Sequence, residues 1–409
     1  MKIKIDLNNK EIQGIIKLFQ ENSVEARIVG GAVRDGLIGI GSSDIDIAVA
    51  TDPIGATKIL KNGGYNVIPT GIDFGTITVI TKTGYVEITS LREDIKTDGR
   101  RAVVEYTNSF ESDSKRRDFT INAMSYDPLT ETLYDYHNGH VDLQNKCVKF
   151  IGDGKSRIKE DYLRILRFFR FTGYYGSKID PEGLAASKES SSGIAILSKE
   201  RIHKEIVKIL SCPKNIEFIF LSMQDAALWG EIFPSCEIIL DGFLNFEKKF
   251  WSISSKWDLE IIDLKSLRIA FLFFPCGKVK AKEVLKISKF SGAEIESFEH
   301  HFDFIDEILE LQTKKYVYLE ICKSWYYKHK YINNFLVISF ALGKIEEEDV
   351  FRSFITMKEQ APKMPVSSEE IMEMGYKGLQ IGVRKKFLEN QWIKSGFSIT
   401  KTELLNLKS

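Results

Sequence analysis

The sequence has no surplus of either charge, with 57 lysines and arginines against 57 aspartates and glutamates. A chain of this kind that binds a polyanion must therefore cluster its cations locally. Cysteine is scarce. Cys147, Cys212, Cys236, Cys276 and Cys322 are scattered, form no C-x-x-C pair and are odd in number. That pattern speaks against a disulfide framework and predicts reduced, mostly buried thiols in a cytoplasm. Long apolar runs are missing. The stretch Phe335 to Leu342 is among the longest and falls far short of a membrane span. The opening MKIKIDLNNKE has no apolar core of a secretory leader. These features predict no membrane partner and a cytoplasmic protein. Proline is sparse in the rear of the chain, which fits long helices.

A chain of 409 residues has room for two to four domains. Ile12, Ile15, Ile16 and Phe19 recur at helical spacing between Asn8 and Asn22 and predict an amphipathic helix covering a sheet. Strands are expected around Glu25–Val29, Asp44–Ala50, Gly75–Thr81 and Tyr85–Leu91. A helix from Ile54 to Leu60 starts after Pro53, a favoured first helical residue. From Ser156 onward the periodic segments are helical. The fold class is therefore α+β, with a mixed sheet in front and an all-α rear. The expected division is 1–145, 146–215 and 216–409.

Arg27 to Val49, RIVGGAVRDGLIGIGSSDIDIAV, reads as strand, Gly-Gly turn, short helix, loop and strand. Side chains at i and i+2 on a strand share a face. Asp44 and Asp46 therefore repel unless a cation lies between them, and hard oxygen ligands suit Mg²⁺. Gly30 and Gly31 open a helix whose unpaired N–H groups can hold phosphate. A phosphate cradle beside a carboxylate pair points to nucleotidyl or phosphoryl transfer. Glu87, inside TVITKTGYVEITSLR, reads either as a solvated strand residue or as a third carboxylate.

Arg157 to Phe171, RIKEDYLRILRFFRF, reads as one helix on which Asp161, Arg164, Arg167 and Arg170 recur every three residues. Aspartate offers only acceptors and arginine only donors. Cytosine and adenine each present an amino donor beside a ring-nitrogen acceptor, whereas uracil and guanine present the reverse order. An Asp161–Arg164 pair can thus bond C and A. Against U or G it leaves unsatisfied groups, at roughly 1–3 kcal/mol each. Arg167 and Arg170 would hold phosphate or brace that pair. The bland alternative is a row of ion pairs on a solvated face.

G-G-x-V-R-D followed by D-x-D, then RRDFTINA at 116–123 and E-D-x-L-R-x-L-R-x-x-R-F at 160–171, resembles the bacterial-type (class II) tRNA nucleotidyltransferase and poly(A) polymerase family. The resemblance implies a polymerase-β-like catalytic head, a helical neck that selects the nucleotide, and a helical body and tail that grip tRNA. It implies Asp44, Asp46 and Glu87 as catalytic residues, with Mg²⁺ on Asp44 and Asp46. It also implies nucleotide contacts from Gly31, Arg34, Arg117, Asp161, Arg164, Arg167 and Arg170. Asp118 would order the site, and Asn122 would contact sugar or backbone. The matching segment DIKTDGRRAVVEY at 94–106 is, in that family, a loop that helps switch from adding C to adding A. LYDYHNGHVDL at 133–143 joins head to neck, and its His137 and His140 read as a structural turn. Glu200, Arg201 and Glu205 match a final motif that steadies the neck, with Ser198 as a helix cap. GLQIGVRKKFLENQWIKSGF at 378–397 resembles the family's closing segment, where Arg384, Lys385 and Lys386 would meet RNA phosphates. SWYYKHKY at 324–331 reads as core packing with a solvated edge. No His-Asp dipeptide occurs, so the phosphohydrolase domain carried by some members is not expected. The implied activity is addition or repair of the 3′-terminal CCA of tRNA from CTP and ATP. The alternatives are an A-adding enzyme or a poly(A) polymerase of the same family, a silent RNA-binding relative, and a transferase acting on small molecules.

Overall fold

The computed structural model describes residues 10–41, 44–72, 75–82, 84–98, 101–257, 261–311, 332–349 and 363–407. Ile12, Ile15, Ile16 and Phe19 all lie on the buried face of α1 (Lys10–Glu21), as their spacing requires. Then follow β1 (Ala26–Val29), α2 (Gly31–Leu37), β2 (Asp46–Val49), α3 (Pro53–Asn62), β3 (Asn66–Gly71), β4 (Thr76–Thr81) and β5 (Gly84–Ser90). With β8 (Ser125–Asp127) and β9 (Thr132–Tyr134), these strands form one seven-stranded sheet in the order β3-β4-β5-β2-β1-β8-β9. β2 pairs parallel with β5 and every other neighbour is antiparallel, so the sheet is mixed.

The segment 92–106 is an antiparallel hairpin, β6 (Arg92–Asp98) with β7 (Arg101–Tyr106). Around it run the helices α4 (Phe110–Lys115), α5 (Gly139–Gln144), α6 (Gly154–Glu160), α7 (Leu163–Tyr175), α8 (Pro181–Glu189) and α9 (Lys199–Leu210). Phe119, Phe150, Phe168 and Phe171 stack into one aromatic cluster, with ring centroids 5.0 to 5.5 Å apart along the chain Phe168–Phe150–Phe119–Phe171. Such pairs add to plain area burial. They fasten the front of the chain to α7.

The expected single helix from Arg157 to Phe171 is broken. Asp161 is extended (φ −158°, ψ 107°) between α6 and α7. The ring of Tyr162 fills the space above Gly193, where a Cβ would come within 2.0 Å of its carbons. Gly193 lies in a 3₁₀ turn, Ser191–Ile196, that receives this ring. Ser198 stands at the N-cap of α9 but makes no side-chain cap bond.

The chain divides into two compact units, Met1–Pro213 with Phe218–Ile232, and Lys214–Glu217 with Phe233–Ser409. Among the described residues the remaining helices are α10 (Glu217–Asp225), α11 (Trp229–Ile232), α12 (Asp241–Trp257), α13 (Leu264–Phe273), α14 (Lys278–Ile287), α15 (Gly292–Glu310), α16 (Ile332–Ala341), α17 (Ser368–Glu373), α18 (Leu379–Lys394) and α19 (Lys401–Asn406). No described helix is long and apolar enough to cross a membrane.

The second unit corrects two expectations. Cys236 and Cys276 form a disulfide, leaving Cys147 and Cys212 as buried free thiols among the described residues. Scatter along the sequence is no guide to proximity: the fold brings two cysteines 40 residues apart to 6.8 Å between Cα atoms. Arg384 is buried, donates to the Leu407 and Leu405 carbonyls and lies near the rings of Tyr376 and Phe387. It braces the tail and does not face solvent for RNA. Lys385 donates to Ser368, and Lys386 is exposed. The 324–331 segment lies outside the described residues.

The deepest ion pair of this unit joins Glu247 to Arg268, both fully buried, at 2.7 Å. Glu247 also accepts from the Ile216 N–H and Trp251 Nε1, and Arg268 donates to the Lys214 carbonyl. This pair is the anchor that holds 214–217 to the second unit. Glu247→Ala leaves a buried guanidinium without its carboxylate, so we expect a loss of roughly 3–5 kcal/mol, read as a lowered urea midpoint.

Candidate active site

One cleft of about 1000 Å³ opens in the first unit. It is lined by Gly31, Arg34, Asp46, Glu87, Arg117, Asp161, Arg164, Arg167 and Arg170, nine of the ten residues picked out by sequence pattern. Asp44 is exposed and is not among the lining residues, but its charge reaches Asp46.

The carboxylate wall follows from strand register. Asp46 and Glu87 are partners across the parallel β2–β5 pair. Along 44–47, exposed Asp44 and Asp46 alternate with buried Ile45 and Ile47, so both aspartates turn away from the core. Crowding shows in the chemistry: enclosure in the cleft, the Glu87 carboxylate and Asp44 push the Asp46 carboxyl up to about 6, against the opposing pull of Arg117. Arg117 offsets this burial and crowding only in part. An all-oxygen donor set of this kind fits a hard divalent cation. No group of three or more His, Cys, Asp or Glu forms a metal cage among the described residues. A nucleotidyl-transfer site needs no such cage, because substrate phosphates complete the shell.

At the end of β1, Gly30 takes φ +70° and ψ −126°, a conformation that favours glycine. A Cβ there would meet the Arg117 guanidinium at 3.4 Å. The turn lets α2 start at Gly31 with its amides at the cleft. Arg34, one turn later, is buried. It donates to both oxygens of Asp35 and to Asn122 Oδ1 at 2.6 Å, and it lies 4.1 Å from the Tyr175 ring centroid. Tyr175 Oη donates to Asp35 Oδ1 at 2.9 Å. Burial, followed by the opposed charges of Arg34 and Asp35, pushes that hydroxyl up to about 12. Asn122 donates onward to Asp118, which accepts from Arg167 at 2.7 Å. Burial tends to raise the Asp118 carboxyl, but Arg167 and Asn122 hold it below the usual range. A continuous polar chain thus runs from α2 to α7.

Arg116 and Arg117 both grip Asp113, which is buried on α4. Burial again opposes ionisation, and the two guanidinia overcome it and lower the Asp113 carboxyl. Asp161 accepts from the Leu163 N–H at 3.1 Å and from Arg201 at 2.7 Å. Arg164 donates to Glu160 at 2.5 Å and to the Arg157 and Arg116 carbonyls. Arg170 pairs with buried Glu205 at 3.0 Å. Asp135 collects the amides of His137, Gly139 and His140 together with the His140 ring, so this segment is the structural turn expected of it.

The cleft also brings in Arg92, Tyr174, Tyr175 and Lys208, which the sequence reading left aside, together with Arg116 of the RRDFTINA motif and Arg201, read there as steadying the neck. Asp113 was legible in principle, three and four residues ahead of the arginine pair on one helix. Tyr175 carries no such signal, since its partner Asp35 lies 140 residues away. The lining holds nine cationic side chains against four carboxylates, a local excess of five charges in a chain that is neutral overall.

Residues 26–149 match the Poly A polymerase head domain, and residues 176–239 match the probable RNA and SrmB-binding site of polymerase A. The human mitochondrial CCA tRNA nucleotidyltransferase 1 is 33% identical across 97% of this chain and 89% of its own length. The chain belongs to the CCA tRNA nucleotidyltransferase family. A second member, the CCA-adding enzyme of Staphylococcus epidermidis, is 33% identical over 58% of this chain and 60% of its own length. The family fold extends to solved structures. The Thermotoga maritima CCA-adding enzyme complexed with tRNA superposes with a TM-score of 0.68 over 98% of this chain and 95% of that one, at 19% identity. The Bacillus stearothermophilus CCA-adding enzyme in complex with CTP gives 0.60 over 96% and 94%, at 22% identity.

The raised Asp46 carboxyl has a stability consequence. A carboxyl at about 6 when folded and near 3.8 when unfolded makes the folded state the better proton binder between those values. Metal-free stability therefore falls as pH climbs through that window, and the loss persists above it. We expect Asp46→Asn to raise the melting temperature at pH 7 and to leave it unchanged near pH 3, as followed by thermal melts in chelator.

Proposed function

We propose that this chain is a CTP/ATP:tRNA nucleotidyltransferase that adds or repairs the 3′-terminal CCA of tRNA and releases pyrophosphate. The observation that carries the reading is a single cleft shared by the Asp46–Glu87 carboxylate pair and the Asp161 and Arg164 side chains. The first set supports phosphoryl chemistry and the second supports choice of base. The 3′ hydroxyl of tRNA attacks the α-phosphate of the incoming nucleotide.

In this reading Asp44 and Asp46 hold Mg²⁺, which when bound supplies activation of the attacking hydroxyl and charge neutralisation at the leaving pyrophosphate. Glu87, beside Asp46 in register, either shares the metal or takes up the hydroxyl proton. The amide of Gly31 and the field of Arg34 and Arg117 draw the triphosphate. Arg34 acts with its guanidinium held in place, because Asp35 and Asn122 take three of its five N–H donors and leave two for the triphosphate. Asp161 and Arg164 read the base edge, one by accepting and one by donating. Arg167 and Arg170 brace this pair through Asp118 and Glu205. We assign the catalytic head to 1–145, the nucleotide-selecting neck to 146–215 and the tRNA-binding body and tail to 216–409. RNA contacts in the rear are to shape and backbone charge, which carry little sequence information. The compartment must hold tRNA, CTP and ATP. We place the chain in the cytoplasm, and the mitochondrial naming of relatives makes that organelle the second reading.

Purified protein with radiolabelled CTP and ATP is expected to extend tRNAs ending before CCA, before CA and before A. Extension of the last substrate alone replaces this reading with an A-adding enzyme, and untemplated runs of A replace it with a poly(A) polymerase. Asp46→Ala is expected to cut turnover by at least about a thousandfold, since the metal supplies several kcal/mol of transition-state stabilisation. Circular dichroism should stay unchanged, and incorporation at the wild-type rate refutes the metal role.

A further inference from the structure

This inference rests on Asp161 and Arg164 as the base-selecting pair. A readout of that kind demands orientation. An aspartate carboxylate turns freely about its last bond, and a turned carboxylate lets water bridge it to a carbonyl. Selection therefore depends on whatever fixes the Asp161 plane, and a supporting shell must hold a site within about 0.5 Å and 10–20° to function.

Two contacts fix it. The Leu163 N–H reaches Asp161 Oδ1 at 3.1 Å, which is local geometry at the start of α7. Arg201 Nη2 reaches Asp161 Oδ2 at 2.7 Å from 40 residues away. Arg201 lies on the first turn of α9, ahead of Glu205, whose buried pairing with Arg170 locks α9 to α7. Tyr162, next to Asp161, is seated over Gly193 just before the same helix. A carboxylate has about four acceptor positions, and these two contacts fill one on each oxygen. The free positions left on Asp161 are those available to an exocyclic amine. Arg201 also lines the cleft, and its pair with Asp161 is partly solvated, with side-chain exposures of 29% and 26%. Fold stability therefore depends little on it.

We infer that Arg201 is a positioning residue for nucleotide choice: it holds the Asp161 carboxylate in the plane that accepts the amino group of C or A and meets the carbonyl of U or G with repulsion. It touches no reacting atom, so its loss acts on discrimination and on the KM for the correct nucleotide rather than on kcat. Glu160 at the end of α6 serves Arg164 on the first turn of α7 in the same way at 2.5 Å, but that contact only spans the break at Asp161, four residues along the chain.

The test is incorporation of UTP and GTP against CTP and ATP by the full-length protein on tRNA lacking CCA. Arg201→Met keeps the packing stem and removes the donors. The share of wrong nucleotide should rise roughly tenfold, the worth of one charge-assisted bond, with the KM for CTP raised more than its kcat is lowered and the melting temperature retained. Arg201→Gln, which keeps one donor, should relax selection less. If either folded variant rejects UTP as well as the wild type does, the proposal is overturned. Asp161→Ala separates the two layers of argument. If that variant still selects C and A, the base-reading assignment itself fails. If it loses selection, the double variant Asp161→Ala with Arg201→Met should be no less selective than Asp161→Ala alone, because Arg201 acts only through Asp161. An additive double loss overturns the inference.

Discussion

The cleft depends on one constraint, the crowding of eight arginines and a lysine into a cavity of a neutral protein. Left bare, such a cluster would repel itself apart. Many of its guanidinia are held by a named acceptor: Arg34 by Asp35, Arg116 and Arg117 by Asp113, Arg164 by Glu160, Arg167 by Asp118, Arg170 by Glu205 and Arg201 by Asp161. The pairing fixes these forks and offsets much of their charge, while the guanidinia themselves still line the cavity. A triphosphate entering it meets charges already in place, so little reorganisation is needed on binding.

The same pairing explains why the break at Asp161 matters more than the helices on either side. A continuous helix would wind the three-residue row round its axis and send Asp161 and Arg170 to different faces. The extended residue resets the direction of the chain. Asp161 then heads α7 much as a cap does, while Arg164, Arg167 and Arg170 run down it toward Glu160, Asp118 and Glu205. Asp161 shares one cleft with Arg164, Arg167 and Arg170 across that single non-helical residue, with Gly193 making room for its neighbour Tyr162.

Much of this was legible in the sequence because it is local. The β1–turn–α2–β2 unit, the apolar stripe of α1, the D-x-D alternation and the i, i+3 and i, i+4 charges are short-range patterns that fix short-range geometry. Glu87 was visible as a carboxylate on a strand but not as the partner of Asp46, because register between β2 and β5 is a property of the sheet. The break at Asp161 was hidden because its long-range contacts, Arg201 on Asp161 and Gly193 against Tyr162, lie outside the window in which helical periodicity is read. The Cys236–Cys276 bridge and the inward turn of Arg384 were misread for the same reason: both are set by packing between segments distant in sequence.

The parallel pairing of β2 with β5 carries a consequence for how the protein comes into being. Parallel neighbours cannot be joined by a tight turn, and here α3, β3 and β4 must all be made before β5 can dock beside β2. Asp46 is therefore without Glu87 through the early part of synthesis, and Asp161 and Arg164, proposed to read the base, emerge later still. A nascent chain on the ribosome has no competent centre with which to consume CTP or ATP until both the sheet and α7 have closed, so assembly order itself keeps the unfinished enzyme silent.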